Sequence, residues 1–204
     1  SMEDGTMSTR QGRVVFLEDV LNRAVEQTKQ IILEKNVTTE NIDETAHDVG
    51  VGAVVFNELS NYRIKDYVFS WDKVLNFEGE TGPYVQYTHA RACSILRRAG
   101  EDTVKAAKKG FDTSWITGES AHHLIKLLYA LPEVIKEAGE KYEPSIVTRH
   151  IVDIAQGFNK FYHDEHILVE DEKEKTAKVA LVLAVQTAIK NGLGLLGMKA
   201  PEKM

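Results

Sequence analysis

The sequence predicts a mainly α-helical protein. Almost every long segment repeats its apolar residues at helical spacing, and proline and glycine fall where helices would begin and end. Strand-like composition is confined to Val14–Phe16 and to the aromatic stretch Asn61–Phe77, which reads as irregular or short-strand structure. In chain order, Leu17–Asn36 places Leu17, Val20, Leu21, Ala24 and Thr28 on one side. Glu40–Leu59 follows, interrupted by Gly50 and Gly52. Gly82–Ala99 starts on a flexible residue and a proline whose φ suits a first turn, and Gly100 suits its stop. Glu101–Lys109 is a short basic helix. Glu119–Tyr142 is helical with a break expected near Pro132. Pro144–His163 begins on a well-placed proline, and Glu170–Asn191 is expected to end at Gly192 and Gly194. The segments after Gly79–Pro83 read as a helical bundle.

A chain of 204 residues with 43% hydrophobic and 27% charged residues has enough apolar material for a sizeable core. Four prolines and no low-complexity tract argue against long disorder. The longest apolar stretch, Val179–Val185, is too short to cross a bilayer. No charged-then-apolar leader is evident, and the single cysteine, Cys93, excludes an internal disulfide framework; a cytoplasmic setting is expected. Cys93 reads as a small buried side chain rather than a nucleophile.

The most informative stretch is Gly79–Gly100. Wound at about 100° per residue, it places Val85, Ala92, Leu96 and Ala99 on one stripe, an ordinary core seam. A second stripe carries Tyr84, Tyr87, Arg91 and Arg98. Rings and guanidinium forks suit unstacked bases and phosphates, but the same stripe also suits a solvated face with half-buried tyrosines. The formal net charge of −6 opposes indiscriminate polyanion binding. Locally, however, residues 91–109 hold Arg91, Arg97, Arg98, Lys105, Lys108 and Lys109 against Glu101 and Asp102. A basic patch on an acidic protein favours a specific, shaped polyanion; a solvated helix end would look the same.

Other motifs point to structure. Gly50-Val-Gly52 lacks the third glycine and the preceding strand of a dinucleotide loop, so close helix packing is expected there. His163-Asp-Glu-His166 has ligand-type residues but no fixed geometry, and His122 and His123 point to different faces; no metal site is expected. Glu78 and Glu80 read as solvated acids beside a turn. Asp4–Gly12 combines glycines, hydroxyls and Arg10, which could wrap an anion or form a frayed terminus.

Taken together, these motifs resemble the C-terminal portion of the arginyl-tRNA synthetase family, class I aminoacyl-tRNA synthetases. The resemblance runs from Met7 to Met204. Met7-Ser-Thr-Arg10 with Gly12 is similar to the family's K-M-S-K-S loop. Gly52–Asn57, Phe77–Tyr84 and Gln86–Arg91 resemble its block before the anticodon-binding domain, with the run G-P-Y-V-Q-Y-T-H-A-R at 82–91 the most specific, and Asn191–Met204 resembles its terminus. The resemblance implies a helical anticodon-binding domain at 84–204, preceded at 1–83 by an activation-loop remnant and helical linker from the end of the catalytic domain. It implies that Met7, Ser8, Thr9 and Arg10 lie near ATP phosphates. It also implies that Tyr87, Arg91, Tyr162 and Met204 approach the tRNA anticodon arm, with Tyr84 and Gln86 as further candidates on the same helix.

Family members join arginine to its tRNA using ATP and Mg2+. Thr6 and Thr9 stand where that loop carries lysines, and no H-I-G-H signature is present. The chain is therefore expected to be a synthetase fragment that does not form arginyl-adenylate alone, with no cofactor bound to it. The rival readings are the C-terminal domain of another class I enzyme such as cysteinyl-tRNA synthetase, and a helical protein-interaction module without an RNA role.

Overall fold

The computed structural model describes residues 15–34, 39 and 41–204, and every regular element among them is helical. In order these are α1 (Leu17–Glu34), α2 (Ile42–Ser60), the one-turn α3 (Trp71–Val74), α4 (Gly82–Ala99), α5 (Glu101–Lys109), a 3-10 turn (Thr113–Trp115), α6 (Glu119–Lys141), α7 (Ser145–Asp164) and α8 (Glu172–Leu195). The mainly α prediction holds. No described helix is long and apolar enough to cross a membrane.

Local chemistry sets the helix starts. Asn41 caps α2 by accepting from the Glu44 N–H at 3.2 Å, which satisfies one otherwise unpaired N-terminal donor, while its side-chain amide donates to the Glu44 carboxylate at 3.3 Å. Thr81 caps α4, its hydroxyl accepting from the Tyr84 N–H at 3.2 Å and donating to the Asn76 carbonyl. Asp171 caps α8 by accepting from the N–H groups of Lys173 and Glu174 at 2.9 and 3.0 Å.

Three expected interruptions do not occur. Helix α2 is continuous through Gly50 and Gly52, where close packing against α1 and α4 takes the place of a break. Helix α6 runs through Pro132. The proline removes one N–H donor, but burial of Leu124, Leu131 and Ala138 outweighs that loss. Helix α8 continues through Gly192 and Gly194 to Leu195. Gly192 serves close packing instead: a Cβ there would lie 2.5 Å from Cγ2 of Ile151. The turn that follows is made by Gly197, at φ 74°.

The main core gathers Leu124, Ile151, Ile154, Phe158, Phe161, Ile189 and Leu193 from α6, α7 and α8. It takes Val85, Ala92, Leu96 and Ala99 from α4, the seam expected from periodicity. A second cluster joins Ala24 of α1 and Ala53 and Val54 of α2 to Phe69, Val74 and Leu75. Helix α2 is shared, since its Phe56 belongs to the main core. The Gly50 and Gly52 pair explains this double role. A Cβ on Gly50 would lie 2.8 Å from the Ala24 carbonyl oxygen of α1, and one on Gly52 would lie 2.9 Å from Nε2 of Gln86 on α4. These glycines are helix-packing positions, as their spacing suggested.

Candidate nucleic-acid interface

Helix α4 and the segment after α8 form an open cleft of about 440 Å³, lined by Tyr87, Ala90, Arg91, Ser94, Arg97, Lys203 and Met204. That volume falls within the ~300–1,000 Å³ typical of ligand sites. The Arg91 guanidinium sits 5.1 Å from the centroid of the Tyr87 ring and 5.6 Å from that of Tyr162 on α7. Both tyrosines keep an open face, at 38% and 41% exposure. A cation held between two accessible rings gives stacking surface and positive charge within one small area.

The placement of Arg91 is built by a polar network. Its Nη1 donates to Oδ1 of Asn159 at 2.8 Å. Asn159 in turn donates through Nδ2 to the Tyr84 hydroxyl at 2.9 Å and to Oγ1 of Thr88 at 3.2 Å. Thr88 is free to accept because its own proton goes to the Tyr84 carbonyl at 2.9 Å. The amide orientation is therefore set on both sides: its oxygen faces the arginine, which can only donate. Tyr162 is backed by Phe158, with ring centroids 6.4 Å apart. The sequence reading missed Asn159. Its only signal is a polar side chain one position from the buried Phe158, three residues before Tyr162.

The other candidates are placed as follows. Tyr84 packs against the core with its hydroxyl on Asn159, so it supports Arg91 instead of presenting a ring outward. Gln86 corrects the expectation of a tRNA contact: it is 0% exposed and its amide donates to the carbonyls of Asp48 and Lys199 at 3.1 and 2.9 Å. Its position, one residue from Val85, turns it inward towards α2. Arg98 is exposed but does not line the cleft; Arg97 does. Met7, Ser8, Thr9 and Arg10 lie outside the described residues.

The side chains near 163–166 go to different partners. Nδ1 of His163 faces Asp164 at 3.3 Å, whereas Glu165 pairs with the buried Lys178 at 3.2 Å. Lys178 also pairs with Glu174 at 2.9 Å and donates to the His166 carbonyl at 3.0 Å. Cys93 is buried, and burial pushes its thiol up from the usual value, with Glu202 adding to the effect. Both changes suppress thiolate character, which fits a packing role.

The segment Met198–Met204 has no regular structure and is held by α4. Gln86 donates to the Lys199 carbonyl, Nδ1 of His89 bonds the Pro201 carbonyl at 2.9 Å, and Nη1 of Arg97 donates to the Glu202 carbonyl at 3.1 Å. Met198 is buried where Gly52 and Gly82 leave room; a Cβ on either glycine would come within 3.1 or 3.2 Å of its methyl.

Residues 85–204 match the family model described as the DALR anticodon binding domain, and residues 2–71 match that of the class I (R) tRNA synthetase catalytic domain. The chain is 58% identical over its whole length to an arginine–tRNA ligase of Halothermothrix orenii and 53% identical to one of Clostridioides difficile, covering 35% of each. Among solved structures it is similar to the arginyl-tRNA synthetase of Thermus thermophilus, with a TM-score of 0.89 and 33% identity, over all of this chain and 34% of that one. The chain thus spans about a third of the length of these relatives. Its cleft of rings and cations lies within the matched 85–204 region, and the chain belongs to the DALR anticodon binding domain family, joined to part of a class I tRNA synthetase catalytic domain.

Proposed function

We propose that this chain grips the anticodon arm of an arginine-specific tRNA, as the C-terminal part of an enzyme that attaches arginine to that tRNA using ATP. The observation that carries this reading is Arg91 held between Tyr87 and Tyr162 beside a cleft edged by Arg97, Lys203 and Met204. Anticodon bases splay out of their stack, and an aromatic platform retains each with about 1–3 kcal/mol. The cations meet flanking phosphates, which fixes register without reading sequence. Tyr87, Arg91, Tyr162 and Met204 are the contact residues in this reading, with Tyr84 behind them.

We assign residues 84–204 to the anticodon-binding domain and 1–83 to the end of the catalytic domain. Arginine and ATP with Mg2+ belong to the catalytic part, where Met7–Arg10 would approach the ATP phosphates. The parent enzyme would work in the cytoplasm. The isolated chain is not expected to support arginine-dependent pyrophosphate exchange.

Titration of the chain with arginine tRNA and a non-cognate tRNA, at several salt concentrations, tests the reading. Preference for the arginine tRNA with affinity falling steeply as salt rises supports it. Weak, salt-insensitive binding to both would favour a protein-interaction module.

A further inference from the structure

We propose that Gln86 and His89 are positioning residues for the RNA-binding face: they clip the segment 199–202 to α4 and so seat Lys203 and Met204 as one wall of the cleft. The proposal rests on the tRNA-binding reading above, but the clip can be measured without RNA.

The segment makes no regular structure of its own, so side chains must fix its path. Gln86, His89 and Arg97 fall on one face of α4, at spacings of three and eight residues. Each donates to a main-chain carbonyl: Lys199 at 2.9 Å, Pro201 at 2.9 Å and Glu202 at 3.1 Å. The first two donors are 0% exposed, so water does not compete for them. Gln86 spends its second N–H on the Asp48 carbonyl of α2, which ties the clip to the neighbouring helix.

The direction of the His89 bond follows from its partner. The Pro201 carbonyl can only accept, so Nδ1 must carry the proton of that bond, and Nε2 is left to accept from the Gln186 amide of α8 at 3.1 Å. Nε2 is therefore the acceptor, and the ring's single proton sits on Nδ1, aimed at Pro201. Burial pushes the ring below the ordinary histidine value, against the raising effect of the Pro201 bond, and this keeps it neutral. Lys203 and Met204 come immediately after the tethered carbonyls and line the cleft opposite Tyr87 and Arg91.

The test compares wild type, His89→Ala, His89→Asn, Gln86→Ala, a deletion of residues 203–204, and the deletion combined with His89→Ala. Methyl-labelled methionine NMR reports tail seating through Met198 and Met204. Affinity for an anticodon stem-loop RNA reports function. In His89→Ala both methyl signals should move towards free-chain positions, and affinity should fall by about fivefold to tenfold, the scale of one lost contact group. The deletion should cost a similar factor, and combining the two should cost no more. His89→Asn, which keeps a donor where Nδ1 stood, should recover most of the affinity.

Unmoved methyl signals in His89→Ala would overturn the clip. Released methyls with unchanged affinity, while Arg91→Ala still weakens binding, would overturn the positioning role and leave the tRNA reading standing. A wild-type chain that does not bind the stem-loop would sink the tRNA reading, whatever the methyls show. If His89→Ala does not fold, the exposed Arg97→Ala should still shift the Met204 methyl, and its failure to do so counts against the clip.

Discussion

Replacing Arg91 separates charge from shape. Its guanidinium makes two ring contacts, at 5.1 and 5.6 Å, and one hydrogen bond of 2.8 Å to Asn159. Each ring contact is worth about 0.5–1 kcal/mol at a partly exposed site, and the hydrogen bond about 1 kcal/mol net. A lysine keeps the charge and some attraction to the rings but loses the planar fork. Arg91→Lys should therefore lower stability by about 1–2 kcal/mol, which for a chain of this size is a melting shift of roughly 2–8 °C. Its affinity for an anticodon stem-loop should fall about tenfold, with the same slope against log salt as wild type. Arg91→Ala removes the charge as well, so its slope should drop by about 0.7, the value of one single-strand phosphate contact. Fluorescence anisotropy at four salt concentrations, beside thermal melts, measures both quantities. If Arg91→Lys binds like wild type, the guanidinium plane does no recognition. If Arg91→Ala keeps the full slope, Arg91 meets no phosphate. Either result refutes the corresponding half of the reasoning.

Asn159→Leu removes the amide that orients Arg91 without removing any charge; stem-loop affinity should fall, but by less than in Arg91→Ala, and an unchanged affinity would show the network to be dispensable. Gly139→Ala in α6 meets nothing within 4 Å and should raise stability by about 0.5–1 kcal/mol. Gly192→Ala drives its methyl to 2.5 Å from Ile151, where overpacking of about 1–3 kcal/mol exceeds the helix-propensity gain; melting temperatures moving in the same direction for both would contradict the packing account. Burial holds folded His89 below its ordinary value of 6.5, so the unfolded chain binds more protons. The stability it contributes is present above about 6.5 and is lost as pH falls from there towards the folded value. Glu202, Lys190 and Cys93 surround the ring and are common to the comparison. His89→Asn should flatten that part of the urea-denaturation profile against pH, and an unchanged profile would show that His89 does not generate it.

Local signals were readable where neighbouring residues pointed to the same helix end. Gly82, Pro83 and Gly100 marked the ends of α4 because a proline φ suits a first turn and a glycine at φ 85° suits a stop, whereas the capping hydroxyl of Thr81 went unread. The stripe of Tyr87 and Arg91 was visible from helical period, although that pattern also suits a solvated face. Signals failed where a residue has two uses. Gly192 could end a helix through a positive φ or let another element approach closely. It does the second, and the positive φ falls at Gly197. Pro132 could break a helix, but the apolar face of α6 is buried on both sides of it. Gln86 could face outward or inward. Its partner, the Lys199 carbonyl, lies 113 residues away, and no local pattern reports that distance.

The same contrast accounts for how the cleft is assembled. One wall belongs to α4 and α7, whose faces are set by helical period and therefore appear in the sequence as Tyr87, Arg91 and Tyr162. The other wall is a segment without period, and its path is dictated by donors on α4 and by the gap that Gly52 and Gly82 leave for Met198. Helix α4 thus gives one face to the core through Val85 and Ala92, one to the cleft through Tyr87 and Arg91, and one to the tail through Gln86 and His89. A polar residue on the third face is as buried as an apolar one on the first, so hydrophobic pattern alone does not report that face. What separates the two faces is the partner each meets: side-chain packing at the core, main-chain carbonyls at the tail. The run from Gly82 to Arg91 is therefore constrained at nearly every position, by the cap, the core, the tail or the cleft.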